Sequence, residues 1–381
     1  MIDIDQLIEW RRHFHQHPEI SNEEIHTSQT VAKLLASFGL DVKTNVGGYG
    51  VIAILKGEKP GKTIALRADM DALPIHDDKT VLYRSTIPGK MHACGHDGHM
   101  SMLLGAAQYL SEHRHLIKGE VRFIFQPAEE VMPGGAIRMI EEGCLEGVDY
   151  IYGQHLWSGL PSGTIAISEG PVMGSSDFFN LTIEGKGGHA ATPELTIDPI
   201  TVSAQVITQL QMIVSRRISP MAPCVLTIGS IHAGSTNNVI PEYVELKGTV
   251  RCLENQLREE VRSLMDQTIA GICNSFGAKY KFEYTMGCPP VVNHTAATRM
   301  MKEAARRVVD DKELIEKEPF MVGEDFSHYL MKVPGCFAFV GSGKVEKNSA
   351  YSHHTSLFDM DEDVLEIGAK LLIEVVLEHS K

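Results

Sequence analysis

Near Val172 the hydrophobic patterning of this 381-residue chain changes character, and that change limits what it can fold into. Before it, apolar runs that read as strands (VIAIL at 51–55, TIALRAD at 63–69, VRFIFQ at 121–126, DYIYGQHL at 149–156) alternate with helical spacing at 5–18, 26–38, 97–114 and 134–143. Such alternation predicts an α/β layer structure. After it, SDFFNLTIEG at 176–185 alternates apolar and polar residues as a half-exposed strand does. A helix at 197–216, strands at 224–233 and 244–251, a helix at 254–275 and a strand at 279–285 follow. That βαββαβ order is the ferredoxin-like split pattern. The chain is long for one core. The expectation is a first domain in two parts, 1–175 and 289–381, ending in a helix at 361–379, with an inserted α+β domain at 176–288.

A formal net charge of -14 argues against nucleic acid, whose phosphates call for clustered Lys and Arg. It also means that a carboxylate substrate needs specific local cations for its capture. The opening MIDIDQLIEWRRHFHQHPEI has no apolar core of signal-peptide type, and no run of eighteen apolar residues predicts a membrane span. Seven cysteines, an odd number spread widely, read as reduced thiols in the cytoplasm rather than a disulfide frame.

Chemistry-bearing residues gather in four places. In MHACGHDGHM (91–100), Cys94 and His96 stand two apart on a glycine-containing turn ahead of a helix. A thiolate and an imidazole on one tight turn suit Zn²⁺ or another borderline-soft divalent ion. A lone Cys-x-His is more often a buried cysteine beside solvated histidines, so the rest of the chain must tip the balance. In QPAEE (126–130), Glu129 and Glu130 follow a hydrophobic strand directly, where ligands of open α/β sheets bind. Adjacent carboxylates on extended chain point apart, so one can hold a metal while its neighbour handles protons. His155 closes the strand DYIYGQH and would reach the same sheet edge. SHHTSLFDMDED (352–363) offers His353 or His354, and spacing alone does not choose between them. Together these donors exceed one tetrahedral site. They suit two divalent ions with Cys94 as a bridge, leaving Glu129 as general base.

At these residues the chain resembles the dinuclear metal amidohydrolases that include bacterial aminoacylases, hippurate hydrolases and plant auxin-conjugate hydrolases. RRHFHQHPE (11–19), LRADMDALP (66–74), HACGHDGH (92–99), QPAEE, GKGGHAATP (185–193), NNVIP (237–241), GTVR (248–251) and GEDFS (323–327) resemble its blocks in order. The resemblance implies a zinc-exopeptidase-like catalytic domain with a mostly parallel sheet between helices, and an inserted lid and dimerisation domain. It implies Cys94, His96, Glu130, His155 and His354 as ligands of two Zn, Mn, Co or Ni ions. His354 is preferred because it opens the family's His-x-x-x-Phe spacing at Phe358, although Ser356 stands where many relatives carry Pro. Glu129 is implied as the catalytic base. Asp71 falls where the wider superfamily has the Asp of a His-x-Asp motif, with Asp69 replacing that His, and Cys94 stands where distant relatives carry a bridging Asp. His189 resembles a lid histidine that stabilises the oxyanion, in its own or a partner's site, and Asn238 and Arg251 resemble residues that hold a substrate carboxylate. The implied activity is hydrolysis of N-acyl-L-amino acids by a homodimer or homotetramer. A carboxypeptidase or dipeptidase with the same site, or a non-catalytic metal-binding protein on this scaffold, are the alternatives.

Overall fold

The computed structural model describes residues 2–381, and the chain divides into two compact units. The first unit comprises residues up to Val172, Val292–Glu318 and Asp325–Lys381; the second comprises Met173–Val291 and Pro319–Glu324.

In the first unit, α1 (Ile4–Gln16) begins where the Asp3 carboxylate caps the N–H groups of Asp5 and Gln6. Helix α2 (Ile25–Ser37) stops ahead of Gly39, whose φ of 73° makes the left-handed exit expected there. Next come β1 (Asp41–Val46), β2 (Gly50–Lys56), β3 (Lys59–Asp69), α3 (His96–Glu112), β4 (Lys118–Gln126) and α4 (Gly135–Glu141). β5 (Tyr150–Pro161), β6 (Ile165–Ala166) and the short β7 (Gly170–Met173) complete this part. Helix α3 is buried on nearly every side, because it packs against β3 and against α1 while its small Gly105 admits the Leu7 side chain.

The second unit runs β8 (Asp177–Glu184), β9 (Gly188–His189), α5 (Pro199–Met212), β10 (Cys224–Ala233), β11 (Val239–Ile240), β12 (Tyr243–Cys252), α6 (Asn255–Phe276) and β13 (Lys279–Thr285). Apart from the small β9–β11 ribbon, this is the βαββαβ order of the sequence reading, in an antiparallel sheet β10-β12-β8-β13. Alternating side chains of these strands, Phe179, Leu181 and Ile183 among them, bury against α5 and α6. Arg258 on α6 forks onto both oxygens of Asp177, at 3.0 and 2.6 Å, which ties helix to sheet.

The chain then adds β14 (Val291–Asn293), α7 (Thr295–Ala305), β15 (Leu314–Ile315), α8 (Ser327–Leu330), β16 (Gly335–Gly343) and α9 (Val364–His379). The first unit's sheet has the order β1-β2-β4-β3-β5-β16-β6-β15 and is parallel through its centre, from β4 to β16. Two expectations need correction. The strand placed at 149–156 continues to Pro161, because β16 pairs with it as far as Gly343↔Pro161. His155 therefore lies inside β5 rather than at its end. It still opens to the sheet edge on the other side, where β3 pairing stops at Arg67↔Gly153. And β16 itself, a central strand, was not singled out by the patterning.

Beneath that edge Arg67 is fully buried, and its guanidinium donates to Gln126 Oε1 at 2.9 Å, Asp69 Oδ2 at 2.6 Å and Asp325 Oδ1 at 2.9 Å, among its partners. Removing one member of such a network strands the others' charge. Arg67→Met is expected to destabilise the first unit by about 3 kcal/mol or more in denaturant unfolding; wild-type stability would show that the network contributes nothing.

Candidate metal centre

The turn Ala93–Cys94–Gly95 delivers two of the candidate donors. Gly95 has φ 96°, a conformation that side chains rarely adopt, and α3 starts at the next residue, His96. The turn is fixed from below: Asp97 accepts hydrogen bonds from Arg11 Nε at 2.9 Å and from His15 Nδ1 at 2.7 Å, all three being buried. His96 donates Nδ1–H to the Asp71 carbonyl at 2.8 Å, which leaves Nε2 as the free nitrogen. That Nε2 is buried without a hydrogen-bond partner. His155 likewise donates Nδ1–H to the Leu156 carbonyl at 2.6 Å and turns Nε2 to within 3.5 Å of Cys94 Sγ.

Glu129 and Glu130 leave β4 through Ala128, a non-glycine residue at φ 52°. Strain of this kind persists only where surroundings hold it. Two carboxylates do so. Glu24, fully buried, accepts the Ala128 N–H at 2.7 Å, and Asp71 Oδ2 accepts the Glu130 N–H at 3.0 Å and the Ser21 hydroxyl at 2.6 Å. His354 is also left-handed, at φ 61°, and donates its N–H to the Ala93 carbonyl at 2.8 Å. Its Nε2 lies 3.1 Å from Glu130 Oε1.

The donors converge in two groups that share a sulfur. Cys94, His96 and His155 form one, Cys94, Glu130 and His354 the other, each with its ligand atoms within 4.8 Å of one another. Glu129 adjoins His96 and Glu130. His353, the alternative left open by spacing, is placed otherwise: its Nε2 accepts the Ser158 N–H at 3.1 Å, and its ring packs on Trp157 and Phe358. His99 has both nitrogens engaged, donating to Asp69 Oδ1 at 2.6 Å and accepting from Leu156 N–H at 2.9 Å, so the Asp69–His96–His99 group offers no third open histidine nitrogen. Asp71 sets both the His96 ring, through its carbonyl, and the Glu130 backbone, through its carboxylate.

The electrostatics ask for a cation. Burial, with Glu130, Glu129 and Asp69 close by, pushes the Cys94 thiol well above its ordinary value. Burial works against protonation of His96, yet Asp69, Asp71 and Glu130 outweigh it and push the imidazole up to about 10. Thiolate, carboxylate and neutral imidazole are the donors that Zn²⁺ and its neighbours take, and the unpartnered His96 Nε2 is aimed where such an ion would sit. The residues present fit a divalent metal.

The second unit holds the remaining candidates. His189 and Val239 are partners in the β9–β11 ribbon, and the Ala190 N–H donates to the Asn238 carbonyl at 3.1 Å, so His189 and Asn238 are neighbours. His189 Nδ1 accepts the Ala191 N–H at 3.1 Å, which leaves the ring proton of the neutral form on Nε2. Arg251, half-buried on β12, lies over the Phe178 ring at 5.3 Å. Its Nη1 is buried without a hydrogen-bond partner.

Sequence reasoning passed over Glu24. Only the PE-x-x-x-x-E spacing from Pro18 hints at it, since its partner Ala128 is 104 residues away. Burial and the nearby Asp71 raise its carboxyl from 4.5 to about 7. The folded state therefore holds a proton that the unfolded chain releases, and the stability this confers is lost as pH rises from about 4.5 to about 7. Glu24→Gln keeps an acceptor for Ala128 and removes that titration. In metal-free protein, wild type is expected to lose up to about 3 kcal/mol against Glu24→Gln across this range. Parallel stability curves would refute it.

The sequence profile described as Peptidase family M20/M25/M40 matches residues 65–378. The chain is 48% identical over 288 residues to the N-acyl-L-amino acid amidohydrolase of Geobacillus stearothermophilus, covering 76% of this chain and 78% of the relative. It is 42% identical over 368 residues to thermostable carboxypeptidase 2 of Saccharolobus solfataricus, covering 96% and 93%. Among solved structures it is similar to the YXEP protein of Bacillus subtilis, described as a dinuclear metal binding peptidase. There the TM-score is 0.86 and the identity 36%, over 98% of this chain and 97% of that one.

Proposed function

We propose that this chain, which belongs to peptidase family M20/M25/M40, hydrolyses the amide bond of N-acyl-L-amino acids to a carboxylic acid and a free amino acid. The observation that carries the reading is the pair of three-donor groups joined at Cys94 with Glu129 alongside. Cys94, His96 and His155 would hold one divalent ion, and Cys94, Glu130 and His354 the second. Bound there, divalent ions supply Lewis acidity to the amide carbonyl and make a water ionisable near neutral pH. Glu129 would take a proton from the attacking water and return it to the leaving nitrogen. Asp71 keeps His96 Nε2 turned outward, and Glu24 keeps the Glu129–Glu130 bend in place.

His189, with its proton on Nε2, would donate to the developing oxyanion. Arg251 and Asn238 would hold the substrate carboxylate; a half-buried guanidinium with an unpartnered Nη1 is suited to that task. The second unit would serve as a lid that excludes water and as the contact surface of a homodimer or homotetramer. No helix among the described residues is long and apolar enough to cross a membrane, and the reduced-thiol reading favours a cytoplasmic location. Zn²⁺, Mn²⁺, Co²⁺ and Ni²⁺ all suit the donor set. The likeness to a carboxypeptidase keeps a second reading open, in which the same site cleaves a free C-terminal residue.

Hydrolysis of acetyl, benzoyl and peptidyl amino acids after chelation, then after return of each metal, tests the proposal. Activity on the acyl substrates that disappears with chelator and returns with metal is expected. Preference for peptidyl substrates would favour the second reading, and inactivity of folded, metal-loaded protein on the whole panel would overturn the first. Glu129→Gln is expected to keep its metal while kcat falls roughly 10²–10⁴-fold; near-wild-type turnover would remove Glu129 from its role.

A further inference from the structure

In the second unit Cys224 opens β10 and Cys252 closes β12, and the two are partners in the ladder. Their sulfurs are 3.7 Å apart. Which kind of partners they are follows from Ser175. The Cys252 N–H donates to Ser175 Oγ at 2.9 Å, and the Cys252 carbonyl accepts the Ser175 N–H at 2.7 Å. Ser175 continues the β8 side of the sheet, in step with Val250↔Asp177. In an antiparallel ladder both backbone groups of a residue point to one side. Cys252 therefore turns its backbone away from β10, and Cys224–Cys252 is a pair without mutual backbone hydrogen bonds. Such pairs bring Cα atoms to about 4.5 Å and side chains closest together. That lies in the range of about 4.4–6.8 Å found across disulfides, so the bond closes by side-chain rotation without moving either strand.

The two thiols are also unequal in the way a stepwise oxidation requires. Cys252 is fully buried, while Cys224 is half-buried and open to a small oxidant. The Cys252 thiol donates to the Cys224 sulfur, which favours the thiolate on the accessible partner.

We propose that Cys224 and Cys252 form a redox modification site, in which a hydroperoxide converts the two thiols to a cross-strand disulfide. The Cys224 thiolate attacks the terminal peroxide oxygen; the O–O bond breaks, the alcohol (or water) leaves with one proton, and a sulfenic acid forms. The Cys252 thiol then attacks that sulfur; the S–S bond forms, the S–O bond breaks and water leaves. Two thiols and one hydroperoxide give one disulfide, one alcohol and one water. The bond would close a 28-residue span and pin β10 to β12 beside Arg251, whose ladder partner is Val225. The proposal is independent of which amide the protein cleaves.

The test uses the full-length, metal-loaded protein exposed to graded hydrogen peroxide, then alkylated, digested and mapped by mass spectrometry. Expected is a Cys224–Cys252 linked peptide that forms before other cysteines oxidise and disappears with dithiothreitol. Oxidised protein should melt at higher temperature than reduced protein, a shift that Cys224→Ala abolishes. In Cys252→Ser, Cys224 should stop at a sulfenic acid that dimedone traps. If Cys224 in the wild-type protein accumulates as sulfenic or higher acids with no link to Cys252, or stays alkylatable while other cysteines oxidise, the proposal fails.

Discussion

Negative charge gathered under cover at one edge of a sheet is the constraint on which the first unit turns. Asp69, Asp71 and Asp325 are buried, and Glu129 and Glu130 partly so, although they come from three distant stretches of chain. Leaving carboxylates out of water is costly unless they are paired and hydrogen-bonded. Arg67 answers for Asp69 and Asp325, and the Ser21 hydroxyl and the Glu130 N–H answer for part of Asp71. What remains draws a proton to His96, the nitrogen that would otherwise face a metal. Divalent ions held at Cys94 would supply the same positive charge in a form that can also polarise a carbonyl. Metal affinity and fold stability in this region are therefore two readings of one charge balance.

The candidate donors come from four separate stretches of chain, and several are held by residues of another stretch. Asp71 fixes the ring of His96 and the backbone of Glu130; Glu24 fixes Ala128; the Ala93 carbonyl fixes His354. Two of the held residues, Ala128 and His354, occupy left-handed backbone conformations. The strain sits beside the site and its support comes from elsewhere, which lets the side chains keep their aim before any metal or substrate arrives.

Much of this was legible in the residues. The Cys94–His96 turn and the QPAEE corner stand out because glycine, proline and the end of a hydrophobic strand punctuate them locally. The period-2 pattern of Phe179, Leu181 and Ile183 announced a sheet with one covered face. What stayed hidden depends on distance along the chain. Glu24 says nothing until Ala128 folds over it. Without the resemblance, the loop's own spacing does not separate His353 from His354, which the fold tells apart by backbone conformation and by the Ser158 N–H that the first accepts. β16, with glycines at both ends of its short apolar run, gave no amphipathic pattern, because a strand in the middle of a sheet covered on both faces needs none.

That hidden strand also sets an order of assembly. β16 sits between β5 and β6, yet it is encoded more than 170 residues after β5 begins. The core of the second unit, by contrast, is drawn from one continuous stretch between Phe179 and Tyr284. On the ribosome, where chains emerge from the N-terminus, the inserted unit can close its core while β5 still shows an unpaired edge. Until Gly335–Gly343 emerges, that edge, with His155 on it, is open to any strand that will pair with it. A nascent chain stalled in the inserted unit would thus carry a finished insert on an unfinished host, and the host edge is where a chaperone would be needed.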